Sequence, residues 1–248
     1  MACRACQVAC KQWNQLPAEK TTFFAEGGGY QNPPDLTMLT WNLIEFKEKE
    51  EKGKIAWLFR RRSCNHCTDA ACIDACPVEP VKAMTRHPEY GTVYVNQDLC
   101  IGCGSCVEAC PFKIPFVDEN LEKSFKCWAC VDRVDNGKVT ACANTCPTGA
   151  LQFGDRDKLV KEAEARLKEL KAKGKKAFIY GLKELGGLGM IYVLPGDIKD
   201  YNLPENPQAN AYLKEVEKLI KPFKDKGKLT AEVVKTAWNH VKKKHNLS

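Results

Sequence analysis

Cys64-Asn65-His66-Cys67, Cys72 and Cys76-Pro77, followed by Cys100-Ile101-Gly102-Cys103-Gly104-Ser105-Cys106 and Cys110-Pro111, form the stretch on which the fold turns. It places eight cysteines within forty-seven residues. The second run reads C-x2-C-x2-C-x3-C-P without deviation, the spacing with which thiolates hold a [4Fe–4S] cluster. Between the two runs, Gly91-Thr92-Val93-Tyr94-Val95-Asn96 alternates as a strand does after a glycine turn.

Two cysteine runs separated by such a strand are the internal duplication of a two-cluster ferredoxin. There the fourth cysteine of each run ligates the other run's cluster. The spacing therefore predicts one cluster on Cys64, Cys67, Cys72 and Cys110, and a second on Cys76, Cys100, Cys103 and Cys106.

Working outward, Cys127-Trp128-Ala129-Cys130, Cys142 and Cys146-Pro147 make a further run, C-x2-C-x11-C-x3-C-P. Two cysteine pairs separated by a loop also describe a four-thiolate zinc site. The Cys-Pro ending and a partner run near the N-terminus favour a cluster. That partner is Cys3, Cys6 and Cys10, in the spacing C-x2-C-x3-C. A full quartet would have one more cysteine just upstream of Met1. Two readings fit: a three-cysteine site with a smaller cluster or another ligand, or a sequence that starts inside the motif. An in-frame cysteine codon immediately upstream decides for the second. With the crossed pairing repeated, Cys10, Cys127, Cys130 and Cys142 hold one cluster, and Cys3, Cys6, Cys146 and the upstream residue hold another.

The expected fold class is thus α+β: two nested ferredoxin-like units with small strands and short helices, plus a helical C-terminal extension. Residues 1–16 and 112–155 form the outer unit, 17–59 an inserted loop and strand segment, 60–111 the inner unit, and 156–248 the extension.

The composition agrees with a metal scaffold. With 248 residues and 44% hydrophobic content the chain has enough material for a core. Fifteen cysteines in quartets are not a disulfide framework, which belongs to small secreted domains. No apolar run is long enough for a transmembrane helix, and no basic-then-apolar signal opens the sequence. The net charge of +7 is carried largely by Leu213 to Ser248, with ten lysines against four acids. Four thiolate-bound clusters, at about −2 each, add roughly −8 and bring the loaded protein near neutrality.

The linking segments read as follows. Gly27-Gly28-Gly29 lacks the Lys-Ser/Thr of a phosphate loop and reads as flexible loop. Thr37 to Lys47 and Lys54 to Phe59 read as strands about a charged turn, with Trp41, Phe46, Trp57 and Phe59 as core. Arg60-Arg61-Arg62 has three readings: a site for an acidic partner, a charge lying against a cluster, or a solvated face. His66 sits beside a complete quartet and is read as packing there rather than as a ligand. Asp157 to Lys173 has the period of an amphipathic helix with its stripe in the core, and Met190 to Leu194 that of a buried strand. Gly186-Gly187-Leu188-Gly189 reads as close backbone packing. Gln208 to Lys221 and Ala231 to Lys243 read as short helices, the second capped by Thr230. The terminal lysines lack base-reading aromatics, so nucleic acid is not expected.

Four cysteine runs in this order, with Cys-Ile-Gly-Cys-Gly-Ser-Cys and the ending Cys146-Pro147-Thr148-Gly149-Ala150, resemble the four-cluster electron-transfer subunits of molybdopterin oxidoreductases. Ala5-Cys6-Gln7-Val8-Ala9-Cys10-Lys11, Gln31-Asn32-Pro33-Pro34-Asp35 and Cys130-Val131-Asp132-Arg133-Val134 are most similar to the beta subunit of formate dehydrogenase. Met190 to Leu194 and Leu203-Pro204 carry that likeness past the cysteines. No tryptophan replaces a ligand in the three complete quartets, unlike nitrate-reductase subunits. The lysine-rich tail stands where membrane-bound relatives often carry a transmembrane helix.

The resemblance implies a non-catalytic iron–sulfur subunit with four [4Fe–4S] clusters. Its implied partners are a molybdenum- or tungsten-pterin catalytic subunit that oxidises formate and a downstream acceptor: a membrane cytochrome b, a hydrogenase or a flavin subunit. It also implies membrane association through partners, the periplasmic face before the cytoplasm. The equivalent subunit of a sulfur-compound or dimethyl-sulfoxide reductase is the alternative within the class, and a zinc-stabilised interaction module the alternative outside it.

Overall fold

A computed structural model describes residues 2–23, 30–51 and 53–247. The triple glycine and Met1 lie outside the described residues. In chain order the elements are α1 (Ala5–Trp13), β1 (Leu43–Glu51), β2 (Lys54–Arg62), α2 (Ala71–Asp74), β3 (Met84–Arg86), β4 (Val93–Val95), α3 (Ser105–Ala109), β5 (Phe116–Asp118), β6 (Lys123–Phe125), α4 (Val131–Val134), α5 (Ala141–Asn144), α6 (Arg156–Ala172), β7 (Ala177–Tyr180), β8 (Tyr192–Pro195), α7 (Leu213–Asp225) and α8 (Ala231–His245). The strands pair as four separate antiparallel hairpins: β1 with β2, β3 with β4, β5 with β6, and β7 with β8. The chain divides into two compact units, Met1–Thr68 with Ala129–Asn206, and Asp69–Trp128 with Pro207–Ser248.

In the first unit, α1 packs against α5. The segment after α1 is pinned by Glu19, whose carboxylate takes hydrogen bonds from Lys11 Nζ at 3.0 Å, Thr37 Oγ1 at 2.6 Å and Thr40 Oγ1. The β1/β2 hairpin runs in register from Leu43↔Arg62 to Glu51↔Lys54, so Glu48 to Glu51, expected as turn, continue the strand. Their partners explain this: alternate positions set charged side chains toward solvent and keep the ladder paired. Phe46 meets Phe59 edge-on, with ring centroids 4.9 Å apart. Trp41 is buried as expected, but Trp57, in a two-stranded ribbon, is 52% exposed with the centroid of the Tyr30 ring 5.1 Å from its own.

Helix α6 starts where Asp155 Oδ1 accepts from Lys158 N at 2.9 Å, a side-chain cap. It has the expected span but contains no buried residue, so its apolar stripe is only half covered rather than core. It packs against β7 and β8. The glycine stretch behaves as expected of close backbone packing. Thr68 N donates to Gly187 O at 2.8 Å, Gly189 N to His66 O at 3.1 Å and Met190 N to Asn65 O at 3.1 Å. A Cβ on Gly189 would lie 2.9 Å from that of His66.

In the second unit, α2 packs on α3, and the β3/β4 hairpin closes over them with Met84, Val93 and Val95 in the core. Helices α7 and α8 form a hairpin whose contact is made by Val216, Ile220, Val234, Ala237, Trp238 and Val241. α8 begins at Thr230, whose Oγ1 accepts from Val233 N at 3.3 Å, and its last turn is basic, which suits the negative end of the helix dipole. α7 starts five residues later than its sequence period suggests, after the Asn210 side chain has turned the chain by accepting from Tyr212 N at 3.0 Å.

Candidate iron–sulfur sites

The second unit gathers Cys76, Cys100, Cys103 and Cys106. Cys76 and Cys106 are buried among Ala70, Ala83, Met84, Val93 and Val95, with Cys72 and Cys100 packed against the same core. Gly104, with φ at 78°, starts α3 and turns Cys106 inward. Gly102 carries φ of 62°, and a Cβ there would lie 2.4 Å from the carbonyl carbon and oxygen of Glu122. Only glycine fits that step of the run.

All four sulfurs have polar donors on them, Cys103 from Ser105. Met84 N donates to Cys76 Sγ at 3.5 Å and Ser124 N to Cys100 Sγ at 3.3 Å, while Ser124 Oγ lies 3.2 Å from Cys106 Sγ. Burial pushes the Cys103 and Cys106 thiols up, against the hydrogen bonds from Ser105 and Ser124 respectively. A bare thiolate is disfavoured in such surroundings, and bound iron supplies the missing positive charge. The donor set therefore fits a thiolate-held cluster. Cations lie close by: Lys82 Nζ donates to the carbonyls of Ile73, Asp74 and Cys76, and buried Lys126 donates to the carbonyls of Val93 and Cys127.

The first unit holds Cys3, Cys6, Cys10, Cys64, Cys67, Cys130, Cys142 and Cys146. Packing of α1 on α5 brings Cys6 and Cys10, both buried, to the helix that carries Cys142. Cys3 is exposed and Cys146 half-buried. Asn14 Nδ2 reaches Cys10 Sγ at 3.6 Å, Thr140 Oγ1 lies 3.4 Å from Cys142 Sγ, and His66 N donates to Cys64 Sγ at 3.4 Å. At Cys146, Leu151 N donates to Sγ at 3.4 Å and Thr148 Oγ1 lies 3.7 Å away. Burial there is outweighed by these loop donors, which hold the Cys146 thiol below the ordinary range. Cys72, Cys110 and Cys127 belong to the second unit.

The arginine triplet is not a solvated face. Arg60 and Arg61 are buried, and Arg60 and Arg62 both pair with Glu45. Arg61 instead points at sulfur: Nη2 is 3.7 Å from Cys142 Sγ and Nη1 3.4 Å from Met190 Sδ. Sequence reasoning missed Asn14, Asn42 and Ser124 because they lie outside the cysteine runs or act through tertiary contact, and Thr140 because only the folded loop turns its hydroxyl to Cys142 Sγ. Among the described residues, no group of three His, Cys, Asp or Glu side chains is placed to hold a single metal ion.

Two family models match, each described as a 4Fe-4S dicluster domain, over residues 1–79 and 55–156. They define an iron–sulfur electron-transfer protein of mixed helix and strand with ferredoxin-type domains, and with the fifteen cysteines they support four [4Fe–4S] clusters. The chain is 38% identical over 227 residues to the formate dehydrogenase-O iron-sulfur subunit of Escherichia coli (strain K12), covering 90% of this chain and 74% of the relative. It is 38% identical to the formate dehydrogenase iron-sulfur subunit of Haemophilus influenzae, covering 90% and 71%. It is 35% identical to the formate dehydrogenase 2 subunit beta (cytochrome c-553) of Nitratidesulfovibrio vulgaris, covering 81% and 91%. The chain belongs to the iron–sulfur subunits of formate dehydrogenase.

Proposed function

We propose that this chain is the non-catalytic electron carrier of a formate dehydrogenase complex, passing electrons between a molybdenum- or tungsten-pterin subunit that oxidises formate and a downstream acceptor subunit. The observation that carries the proposal is the grouping of Cys76, Cys100 and Cys106, whose buried or half-buried sulfurs meet N–H and O–H donors inside an apolar shell. Bound there, a [4Fe–4S] cluster supplies one-electron exchange with little movement of its ligands. The protein supplies the rest. Ala83, Met84, Val93 and Val95 exclude water from Cys76 and Cys106, and the Ser124 donors hold the negative charge on Cys100 and Cys106.

The ligand sets of the proposal are Cys3, Cys6 and Cys146 with one further ligand; Cys64, Cys67, Cys72 and Cys110; Cys76, Cys100, Cys103 and Cys106; and Cys10, Cys127, Cys130 and Cys142. The packing of α1 against α5 supports nesting, since it pairs the first cysteine run with the last. No helix among the described residues is long and apolar enough to cross a membrane. Membrane association through partners, at the periplasmic face, is part of the proposal and rests on the family resemblance.

The test is anaerobic purification of the chain together with its large partner. The expected result is about sixteen irons per chain with a broad absorbance near ~400 nm that bleaches when formate is added. Stoichiometric zinc in a colourless protein, or reduction only by other donors, overturns the proposal.

A further inference from the structure

Arg61 is a buried guanidinium whose fork is shared among an amide oxygen and two sulfurs. Its Nε donates to Asn42 Oδ1 at 2.7 Å, Nη1 faces Met190 Sδ at 3.4 Å and Nη2 faces Cys142 Sγ at 3.7 Å. Asn42 is itself almost wholly enclosed, and its Nδ2 donates to Cys6 O at 2.8 Å. One rigid pair thus touches both the cysteine of α1 and that of α5. Strand β2 fixes the base of the side chain through the pairing of Ile44 with Arg61, while the neighbours Arg60 and Arg62 turn to Glu45.

A thioether and a neutral thiol are weak acceptors for a guanidinium. Aiming a buried cation at Cys142 Sγ makes electrostatic sense when that sulfur is a thiolate bearing part of an anionic centre.

We infer that Arg61, held by Asn42, is the positioning residue that raises the reduction potential of the iron–sulfur centre ligated by Cys142. The inference rests on the ligand assignment given above for Cys142. Reduction there adds one electron to the centre and breaks or forms no bond; the guanidinium stays protonated, so its positive charge favours the more negative, reduced state.

The test is a potentiometric titration of the full-length holoprotein, followed by electron paramagnetic resonance and iron analysis, with an added chemical reductant as electron source. Arg61→Met should shift one cluster signal to a more negative potential while the remaining signals stay in place and iron content stays at the wild-type level. Arg61→Lys, which keeps the charge but cannot span Asn42 and both sulfurs, should give a smaller shift in the same direction. A purely structural role would lower iron content or stability without moving a potential. If Arg61→Met loses iron, Asn42→Asp decides, because it keeps the guanidinium and sets a negative charge beside it; a shift to more negative potential supports the inference and an unmoved potential overturns it. Cys142→Ser separates the two layers. If it leaves every signal and the iron content unchanged, the ligand assignment is wrong and the inference falls with it. If it alters a signal whose potential Arg61→Met leaves unmoved, the role of Arg61 is overturned while the assignment stands.

Discussion

The indole Nε1 of Trp238 donates to Ser105 Oγ at 2.9 Å, with both residues buried. This ties α8 to the first residue of α3, inside the cysteine run, and Cys103 packs against the core that Trp238 shares with Val216 and Val241. The C-terminal hairpin is therefore part of the wall of a cluster site. Trp238→Phe should cost about 1–3 kcal/mol by leaving Ser105 without its donor, and Trp238→Ala about 3–5 kcal/mol by opening a cavity. Chemical unfolding of the holoprotein measures both, and the alanine variant should also release iron faster to a chelator.

Gly102→Ala should prevent loading of the site on Cys100 and Cys103. The added Cβ meets the Glu122 main chain at 2.4 Å, and backbone at that distance cannot swing aside as a flexible side chain can. Iron analysis of the purified variant should show a deficit of about four irons per chain, the content of one cluster.

Ser124→Ala removes the hydroxyl 3.2 Å from Cys106 Sγ but leaves Ser124 N on Cys100 Sγ. With one donor lost, negative charge on Cys106 is less well held, so the potential of that centre should fall while iron content is kept. Redox titration should show a different signal moving from the one that Arg61→Met moves.

Glu19 links pH to the stability of the first unit. Burial pushes its carboxyl up, but hydrogen bonds from Thr37, Thr40 and Lys11 outweigh it and hold it below its ordinary value of 4.5. A depressed carboxyl stabilises the fold above the unfolded value and loses that contribution as pH falls through the folded one. Glu19→Gln should therefore be less stable than wild type near neutral pH, by about 1–2 kcal/mol. The gap should narrow as pH drops below 4.5, as read by urea unfolding at several pH values.

The cysteine runs made the iron chemistry legible because ligand spacing is local, and capped helices such as α8 were legible for the same reason. The hairpin was legible in outline, but its full length depended on cross-strand pairs such as Glu50↔Ile55 that no single strand displays. The stripe of α6 misled because period shows which residues share a face, not whether anything covers that face. Ser124 and Asn42 were illegible: a serine in a strand and an asparagine before one become sulfur-site residues only after the chain has folded back on itself. Arg61 lay between these cases. Its charge beside Cys64 pointed toward iron, yet its sulfur contact is to Cys142, far along the chain.

The loop bearing Cys64 and Cys67 is held by main-chain hydrogen bonds to Gly187, Gly189 and Met190, and Tyr192 Oη adds a hydrogen bond to Asn65 across 127 positions of sequence. A ribosome releases the cysteines long before it releases those glycines. The loop bearing Cys64 and Cys67 therefore gains these contacts only once residues 187–192 have been synthesised.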